Sequence, residues 1–302
     1  MRDHAFTIMR ITVRAFRVPI RQPVATSFGI MQNRPAVFIR VEDGDGCFGW
    51  GEAFANWPAA GAEHRANLAV DDVADLVLGR AWADPATMFD ALTRLTHIRA
   101  LQCGEPGPFA QVIAALDIAA WDLVARRAGL PLSRMLVPTA ADHIPAYASG
   151  IHIDAAARDI PRARALGFTA FKVKVGFDTP AEPSKLAAIR ATLAPGERLF
   201  ADANQAWDVD QALAFLADAR PDWIEEPIRA DAPPPDWHRL ATAGVPLAGG
   251  ENITGLANFA NAQKVLGYLQ PDVAKWGGIT GCLAVARQAL TAGRIYCPHC
   301  LG

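Results

Sequence analysis

The sequence predicts a parallel β/α barrel that follows a smaller α+β domain. From about residue 144 onward, short apolar strands alternate with helical stretches. Polar residues end six successive strands, at separations of 28, 23, 26, 21 and 27 residues, about one βα unit each. Before residue 130 the order differs, with strands first and helices after. The six strand-end residues are Lys174, Asp202, Glu225, Glu251, Asp272 and His299.

The first domain is predicted to span residues 1–130. Alternating apolar residues predict strands, and Glu42–Gly46, with its Asp-Gly pairs, is typical of a hairpin turn. Helical periodicity follows, and Gly129 and Pro131 end the last helix. The predicted strands are 7–18 and 35–42, and the predicted helices are 62–78, 86–98 and 109–128.

Residues 131–302 are predicted to form the barrel. Right-handed βα units at this period place all strand ends around one point, whereas an open doubly wound sheet would not gather six of them. Only seven strands are found, and the chain stops at Gly302, just after the seventh. The predicted strands are 144–150, 169–175, 198–202, 222–226, 245–250, 267–272 and 294–298.

Composition excludes several classes of function. The net charge of −2 and the lack of basic runs argue against a nucleic-acid partner. No apolar run of about 18 residues is present, so no membrane span is expected. The charged first residues lack a signal-peptide core, and five cysteines suit a reducing cytoplasm better than disulfides. Cys297-Pro-His-Cys300 has no second ligand pair, which disfavours zinc.

Two lysines share one face of the second barrel strand. In Phe171–Gly176 apolar residues alternate with Lys172 and Lys174, so period two places the ammonium groups side by side. Like charges at that spacing are expected to lower each other's pKa, and a neutral lysine is a general base. The alternative is a salt-bridged pair on an edge strand.

Three carboxylates end the next strands. Asp202, Glu225 and Glu251 would crowd like charges unless a cation neutralised them, and hard oxygen donors suit Mg²⁺. The alternative is three independent helix caps or surface acids. On the next two strands, Asp272 could hydrogen-bond His299, raise its pKa and make it a second acid/base opposite Lys174.

These motifs together resemble the mandelate racemase group of the enolase superfamily, over nearly the whole chain. The resemblance implies an N-terminal capping domain on a modified TIM-type (β/α)₇β barrel, here without its last strand. It also implies that the first Glu of Glu225-Glu226-Pro227 is a metal ligand, with Asp202 and Glu251. The motifs are Lys172-x-Lys174, Asp202-x-Asn204, Glu225-Glu226-Pro227, Gly250-Glu251-Asn252, Pro271-Asp272-x-x-Lys275-x-Gly-Gly, His299, and Asp117-Ile-Ala-Ala-Trp-Asp122.

The resemblance implies an Mg²⁺-dependent enzyme that abstracts the proton α to a carboxylate through an ene-diolate. Lys174 and His299 would be the bases, and Lys172 and Lys275 would stabilise the negative charge of the ene-diolate. Asn204 would belong to the same group of catalytic residues. Dehydration of an acid sugar or racemisation of a hydroxy acid would follow. A cycloisomerase or epimerase is an alternative, although such relatives typically carry Lys at the position of Asp272. A further alternative is an inactive chain that acts only as a binding or assembly module.

The substrate is expected to be a small carboxylate, and the protein a homo-oligomer. By family likeness, specificity lies in capping-domain loops at Val24–Met31 and Phe54–Glu63. Their aromatic residues Phe28, Phe54 and Trp57 are the expected substrate contacts, although core packing explains any one of them equally well.

Overall fold

The computed structural model describes residues 4–26, 29–177 and 180–299. Three antiparallel strands and four helices form the first domain, with a short strand pair beside them. The strands are β1 (Phe6–Thr7), β2 (Arg10–Thr26), β3 (Gly29–Glu42), β4 (Phe48–Ala53) and β5 (Ala81–Trp82). The helices are α1 (Gly61–Leu68), α2 (Pro85–Gln102), α3 (Pro106–Arg127) and α4 (Leu132–Leu136).

The segment Val24–Met31, predicted to be a loop, is largely part of the β2–β3 hairpin. Val24 pairs with Met31 and Thr26 with Gly29, after a register irregularity that begins at Pro19. Prolines are tolerated because β2 lies at the edge of the three-stranded sheet. The loop prediction is therefore wrong for the paired residues. Phe28 lies outside the described residues.

Helix α3 forms the core of the first domain. Its alanine and leucine face packs directly on the sheet, where Gly49 and Gly51 lie so close that any Cβ would overlap the carbonyls of Ala119 and Ala115. The helix is long and apolar enough to cross a membrane, but 67% of its most apolar window is buried inside the protein. Its apolar character is therefore explained by the core it fills.

Seven parallel strands form the second sheet in sequence order, β6 to β12, with helices between them. The strands are β6 (Ala148–His152), β7 (Ala170–Lys174), β8 (Arg198–Asp202), β9 (Ile224–Glu225), β10 (Leu247–Gly249), β11 (Tyr268–Leu269) and β12 (Ile295–Tyr296). The helices are α5 (Ala156–Ala165), α6 (Glu182–Ala191), α7 (Val209–Asp218), α8 (Pro234–Ala241), α9 (Leu256–Ala262) and α10 (Gly278–Thr291).

This strand order confirms the barrel-type prediction over the doubly wound one, because the order never reverses. Each predicted barrel strand overlaps an observed one. Within the described ranges, nothing pairs with the outer edges of β6 and β12. Aromatic rings from neighbouring strands fill the barrel interior, including Phe200 stacked on Trp223 at 4.4 Å between centroids. The domain boundary at 130/131 stays a prediction.

Candidate active site

Parallel pairing brings the predicted strand-end residues to one end of the barrel. Lys174 lies opposite Asp202 in the β7–β8 register, and Asp202 lies opposite Glu225 in the β8–β9 register. Glu251 follows β10 directly. An isolated parallel bridge aligns Asp272 with His299 beyond β11 and β12. The βα spacing of the sequence thus places all six residues at the carboxyl ends of adjacent strands.

Lys172 lies below the site, within the barrel. Its Nζ donates to Glu225 Oε2 at 2.6 Å and lies 3.2 Å from Asp202 Oδ2. Burial lowers the pKa of Lys172, but Glu225 and Asp202 outweigh burial and raise that pKa well above its ordinary value. The prediction that the two lysines lower each other's pKa is therefore wrong for Lys172. The carboxylates of neighbouring strands, which no single strand reveals, determine its charge.

Lys174 lies above Lys172 and faces the open side. Its side chain is 25% exposed, compared with 5% for Lys172. Its Nζ donates to Asp202 Oδ2 at 2.6 Å and to Asn204 Oδ1 at 2.7 Å. Asn204 adopts a left-handed backbone (φ 45°), which turns the chain after β8 towards the lysine. Lys174 is thus the lysine that an incoming molecule can reach.

His299 lies between two carboxylates. Its Nδ1 is 2.7 Å from Asp272 Oδ2, the contact predicted from the sequence, and its Nε2 is 2.8 Å from Glu251 Oε2. Burial lowers the pKa of His299, but the hydrogen bonds to Asp272 and Glu251 raise it to about 9. Lys275 Nζ donates to the same Glu251 at 3.0 Å. Burial raises the pKa of Glu251, but His299 and Lys275 outweigh burial and lower it.

Sequence reasoning gave no role to Glu226, Asn252 and Gln270, three polar residues beside the site. Glu226 is buried and accepts from Asn252 Nδ2 at 3.0 Å, while burial and the nearby Glu251 raise its pKa to about 8. Gln270 Nε2 donates to Glu225 Oε2 at 2.8 Å. The sequence did contain signals for them. Glu226 is the second residue of a glutamate pair, Asn252 follows Glu251, and Gln270 lies two residues before Asp272. Glu225, the last residue of β9, contacts Lys172, whereas Glu226, directly after the strand, is turned towards β10.

The donor set fits Mg²⁺, although its oxygens are not gathered for coordination. In the described part of the chain, no group of three acidic, histidine or cysteine side chains is spaced to hold a metal ion. Ammonium groups instead separate the carboxylates: Lys172 and Lys174 at Asp202, and Lys275 at Glu251. Three carboxylate donors on adjacent strand ends are hard ligands suited to Mg²⁺. A divalent cation could take over part of the charge neutralisation that the lysines provide.

An open cavity of about 2190 Å³ joins the site to the first domain. From the barrel it is lined by both lysines, Asn204, Glu251, Lys275 and His299. From the first domain, Phe54 and Trp57 line it, and Lys275 Nζ lies 4.7 Å from the centroid of the Phe54 ring. The structure thus places two of the three expected substrate contacts at the cavity. Their role in binding stays a prediction.

Two family models match the chain. The Mandelate racemase / muconate lactonizing enzyme, N-terminal domain matches residues 8–136, and the Enolase C-terminal domain-like family matches residues 155–302. Among solved structures, a mandelate racemase/muconate lactonizing enzyme from Bordetella bronchiseptica RB50 is similar, with a TM-score of 0.91 and 47% identity. The match covers 99% of this chain and 80% of that one.

Relatives with named activities are lyases and isomerases. A 3,6-anhydro-alpha-L-galactonate cycloisomerase from Streptomyces coelicolor is 31% identical, over 97% of this chain and 82% of its own length. An L-talarate/galactarate dehydratase from Salmonella typhimurium is 33% identical, over 76% of this chain and 59% of its own length. A racemase structure from Streptomyces coelicolor with bound magnesium is 29% identical (TM-score 0.86), covering 97% of this chain and 84% of that one.

The matches to both domains agree with the modified barrel and the first domain described above. The named relatives act as dehydratases, cycloisomerases and racemases, so an enzyme of the lyase or isomerase kind is the shared character. The chain therefore belongs to the mandelate racemase / muconate lactonizing enzyme family of the enolase superfamily.

Proposed function

We propose that the protein is an Mg²⁺-dependent enzyme that removes the proton α to the carboxylate of a sugar acid or hydroxy acid. Elimination of a β-hydroxyl or reprotonation on the opposite face would complete the reaction. The supporting observation is one cavity lined by the half-buried Lys174, the Asp272-bound His299 and Glu251. An acidic proton donor and a base on different strands are what this chemistry needs.

Asp202, Glu225 and Glu251 would hold the metal. A bound Mg²⁺ would stabilise the negative charge that develops on the substrate carboxylate. Lys172 and Lys275 add positive charge beside the same carboxylates, at 2.6 Å from Glu225 and 3.0 Å from Glu251. These two lysines therefore have a charge-stabilising role.

Proton transfer is assigned to two residues. Lys174 would take or return the α-proton at its Nζ, because its side chain is the more exposed of the pair. His299 would exchange a proton at Nε2, whose partner Glu251 is a proposed metal ligand, while Asp272 holds its Nδ1. In a racemase each residue would serve one enantiomer. In a dehydratase one takes the α-proton while the other protonates the departing hydroxyl.

A cycloisomerase is the second candidate function. A curated cycloisomerase is among the relatives and matches most of this chain. From the sequence, Asp272 disfavoured a cycloisomerase, because such relatives typically carry Lys at this position. The similarity to a cycloisomerase weighs against that expectation. Both candidates begin with removal of the α-proton, so both require the same metal ligands and Lys174.

The test is α-proton exchange in D₂O with Mg²⁺, over a panel of 2-hydroxy acids and sugar acids that includes D-galactonate and galactarate. We expect the wild type to incorporate deuterium at the α-carbon of at least one acid, and EDTA to stop it. Lys264→Ala removes an exposed lysine whose Nζ donates to Asn261 Oδ1 at 3.0 Å, outside the cavity lining, and serves as the control. Failure of the whole panel would contradict the proposal.

A cytoplasmic location, a homo-oligomeric state and the lack of a nucleic-acid partner also remain proposals. They rest on composition and on the metabolic character of the named relatives. Size-exclusion chromatography with light scattering measures the oligomeric state directly, and a monomer would contradict that part.

A further inference from the structure

Asp117 is a buried carboxylate that the proposed chemistry does not use. It lies in α3 of the first domain and has no solvent exposure. Its Oδ2 accepts from the backbone N–H of Thr280 at 2.9 Å, and its Oδ1 accepts from the Thr280 hydroxyl at 2.6 Å. A single carboxylate thus caps the first turn of barrel helix α10 from another domain.

Neighbouring residues fix the geometry of this contact. Trp121, one turn further along α3, donates its Nε1 to Thr280 Oγ1 at 2.9 Å. Because that hydroxyl accepts from Trp121, its own hydrogen is directed to Asp117. Gly278 adopts φ +52°, and a Cβ there would overlap Asp117. Burial raises the pKa of Asp117 to about 7, although its hydrogen-bond donors act to lower it. Keeping a carboxylate at this buried position therefore costs folding free energy.

The residues just before α10 carry two of the assigned site residues. Asp272 Oδ1 accepts from the backbone N–H groups of Ala274 and Lys275, at 2.8 and 3.0 Å. This compact turn directs the Asp272 side chain to His299 and the Lys275 side chain to Glu251. One end of the turn continues from β11. Its other end is Gly277 and Gly278, two glycines with positive φ that lead directly into α10. Trp276, just before them, packs against Phe89 of the first domain and Phe259 of α9.

We infer that Asp117 is a positioning residue, which holds the Asp272–Gly278 turn in place by anchoring the start of α10 to the first domain. A second contact supports it, since Phe54 N–H donates to the Ala274 carbonyl at 3.3 Å. The first domain therefore does more than cover the cavity: it fixes the position of Asp272 and Lys275. The catalytic consequence rests on the proposed function, whereas the anchoring itself does not.

Hydrogen–deuterium exchange of the full chain tests the anchoring without any substrate. In Asp117→Asn, an amide nitrogen, which is a donor, would replace one of the two oxygens that accept from Thr280. Two donors would then face each other and that hydrogen bond would be lost. We expect peptides covering 272–283 to exchange about tenfold faster, as loss of a charge-assisted hydrogen bond predicts. Asp122→Asn is the matched control, because Asp122 lies on the same helix but contacts Trp50 and Arg126 of its own domain. Unchanged protection of 272–283 in Asp117→Asn would overturn the inference.

If Asp117→Asn does not fold, two less disruptive variants of Thr280 provide the same test. Thr280→Val removes the hydroxyl and leaves the backbone bond, and Thr280→Ser restores the hydroxyl. We expect faster exchange of 272–283 in the valine variant and wild-type protection in the serine variant. Wild-type protection in Thr280→Val would overturn the inference.

Turnover adds the catalytic readout. With an acid that the wild type deuterates, Asp117→Asn should lower kcat per folded molecule about tenfold and change KM less than twofold. The folded fraction is measured by circular dichroism, because an unfolded fraction alone would lower the apparent kcat and leave KM unchanged. An unchanged kcat would refute the positioning role. If the wild type deuterates no acid, the proposed function fails, while hydrogen exchange still decides the anchoring.

Discussion

Replacing Asp272 with Asn should change the protonation of His299. Asp272 Oδ1 accepts from two backbone N–H groups, and Oδ2 contacts His299 Nδ1 at 2.7 Å. In Asp272→Asn the carbonyl oxygen would stay with the two backbone donors. The amide nitrogen, itself a donor, would then face Nδ1. A protonated Nδ1 cannot accept that hydrogen bond, so the neutral imidazole is favoured.

The size of the effect follows from the contact that is lost. A buried hydrogen bond to a charged group contributes about 1.5–3 kcal/mol, which corresponds to about 1–2 pKa units. The pKa of His299, raised to about 9 in the wild type, should fall by that amount. Glu251, which remains 2.8 Å from Nε2, should keep the pKa from falling further.

The same contact determines how the stability of the fold changes with pH. The folded pKa lies above the ordinary value of 6.5, so protonation of His299 stabilises the fold fully below pH 6.5. That contribution is lost as the pH rises from 6.5 through about 9. Asp272→Asn should therefore lower the free energy of unfolding more at pH 6 than at pH 10.

The assay is an NMR titration of protein with ¹⁵N-labelled histidine in EDTA, with His299 assigned by its absence in His299→Asn. Asp210→Asn, which removes only an exposed partner of Arg239, is the control and should leave the titration unchanged. A His299 pKa that stays at about 9 in Asp272→Asn would refute the reasoning.

Two further predictions follow from the strand ends and the core. Glu251→Gln keeps the side-chain shape but removes a ligand charge, so Mg²⁺ affinity measured by calorimetry should fall at least about tenfold; unchanged affinity would remove Glu251 from the site. Gly51→Ala should destabilise the fold by about 3 kcal/mol or more, because its Cβ would overlap the Ala115 carbonyl. Gly107→Ala, with open space around it, is the matched control in thermal unfolding.

The sequence predicted the strand ends well because two periodicities coincide. Alternation within a strand identified Lys172 and Lys174 as neighbours, and the βα spacing aligned Asp202 with Glu225. What alternation could not predict is which side chains from other strands lie opposite. For that reason the direction of the Lys172 pKa shift was wrongly predicted and Gln270 was missed.

The first domain was predicted less completely. The strand predicted at 7–18 is confirmed from Arg10, but Phe6–Thr7 is a separate strand, and the hairpin continues past Pro19 and Pro23, where the apolar pattern is interrupted. The contact between Asp117 and Thr280 joins residues 163 positions apart, and no local pattern encodes it. Long-range polar contacts of this kind follow only from how the two domains pack.

The most direct test of the central claim is deuterium incorporation at the α-carbon by Lys174→Ala and His299→Asn, measured with Mg²⁺ and both enantiomers of an acid that the wild type deuterates. Lys264→Ala and His238→Asn remove exposed residues of the same types and serve as controls. For a racemase, each site variant should lose exchange on a different enantiomer. For a dehydratase, one variant should lose exchange while the other retains it but stops elimination. Exchange of both enantiomers at the wild-type rate by both site variants would contradict the account.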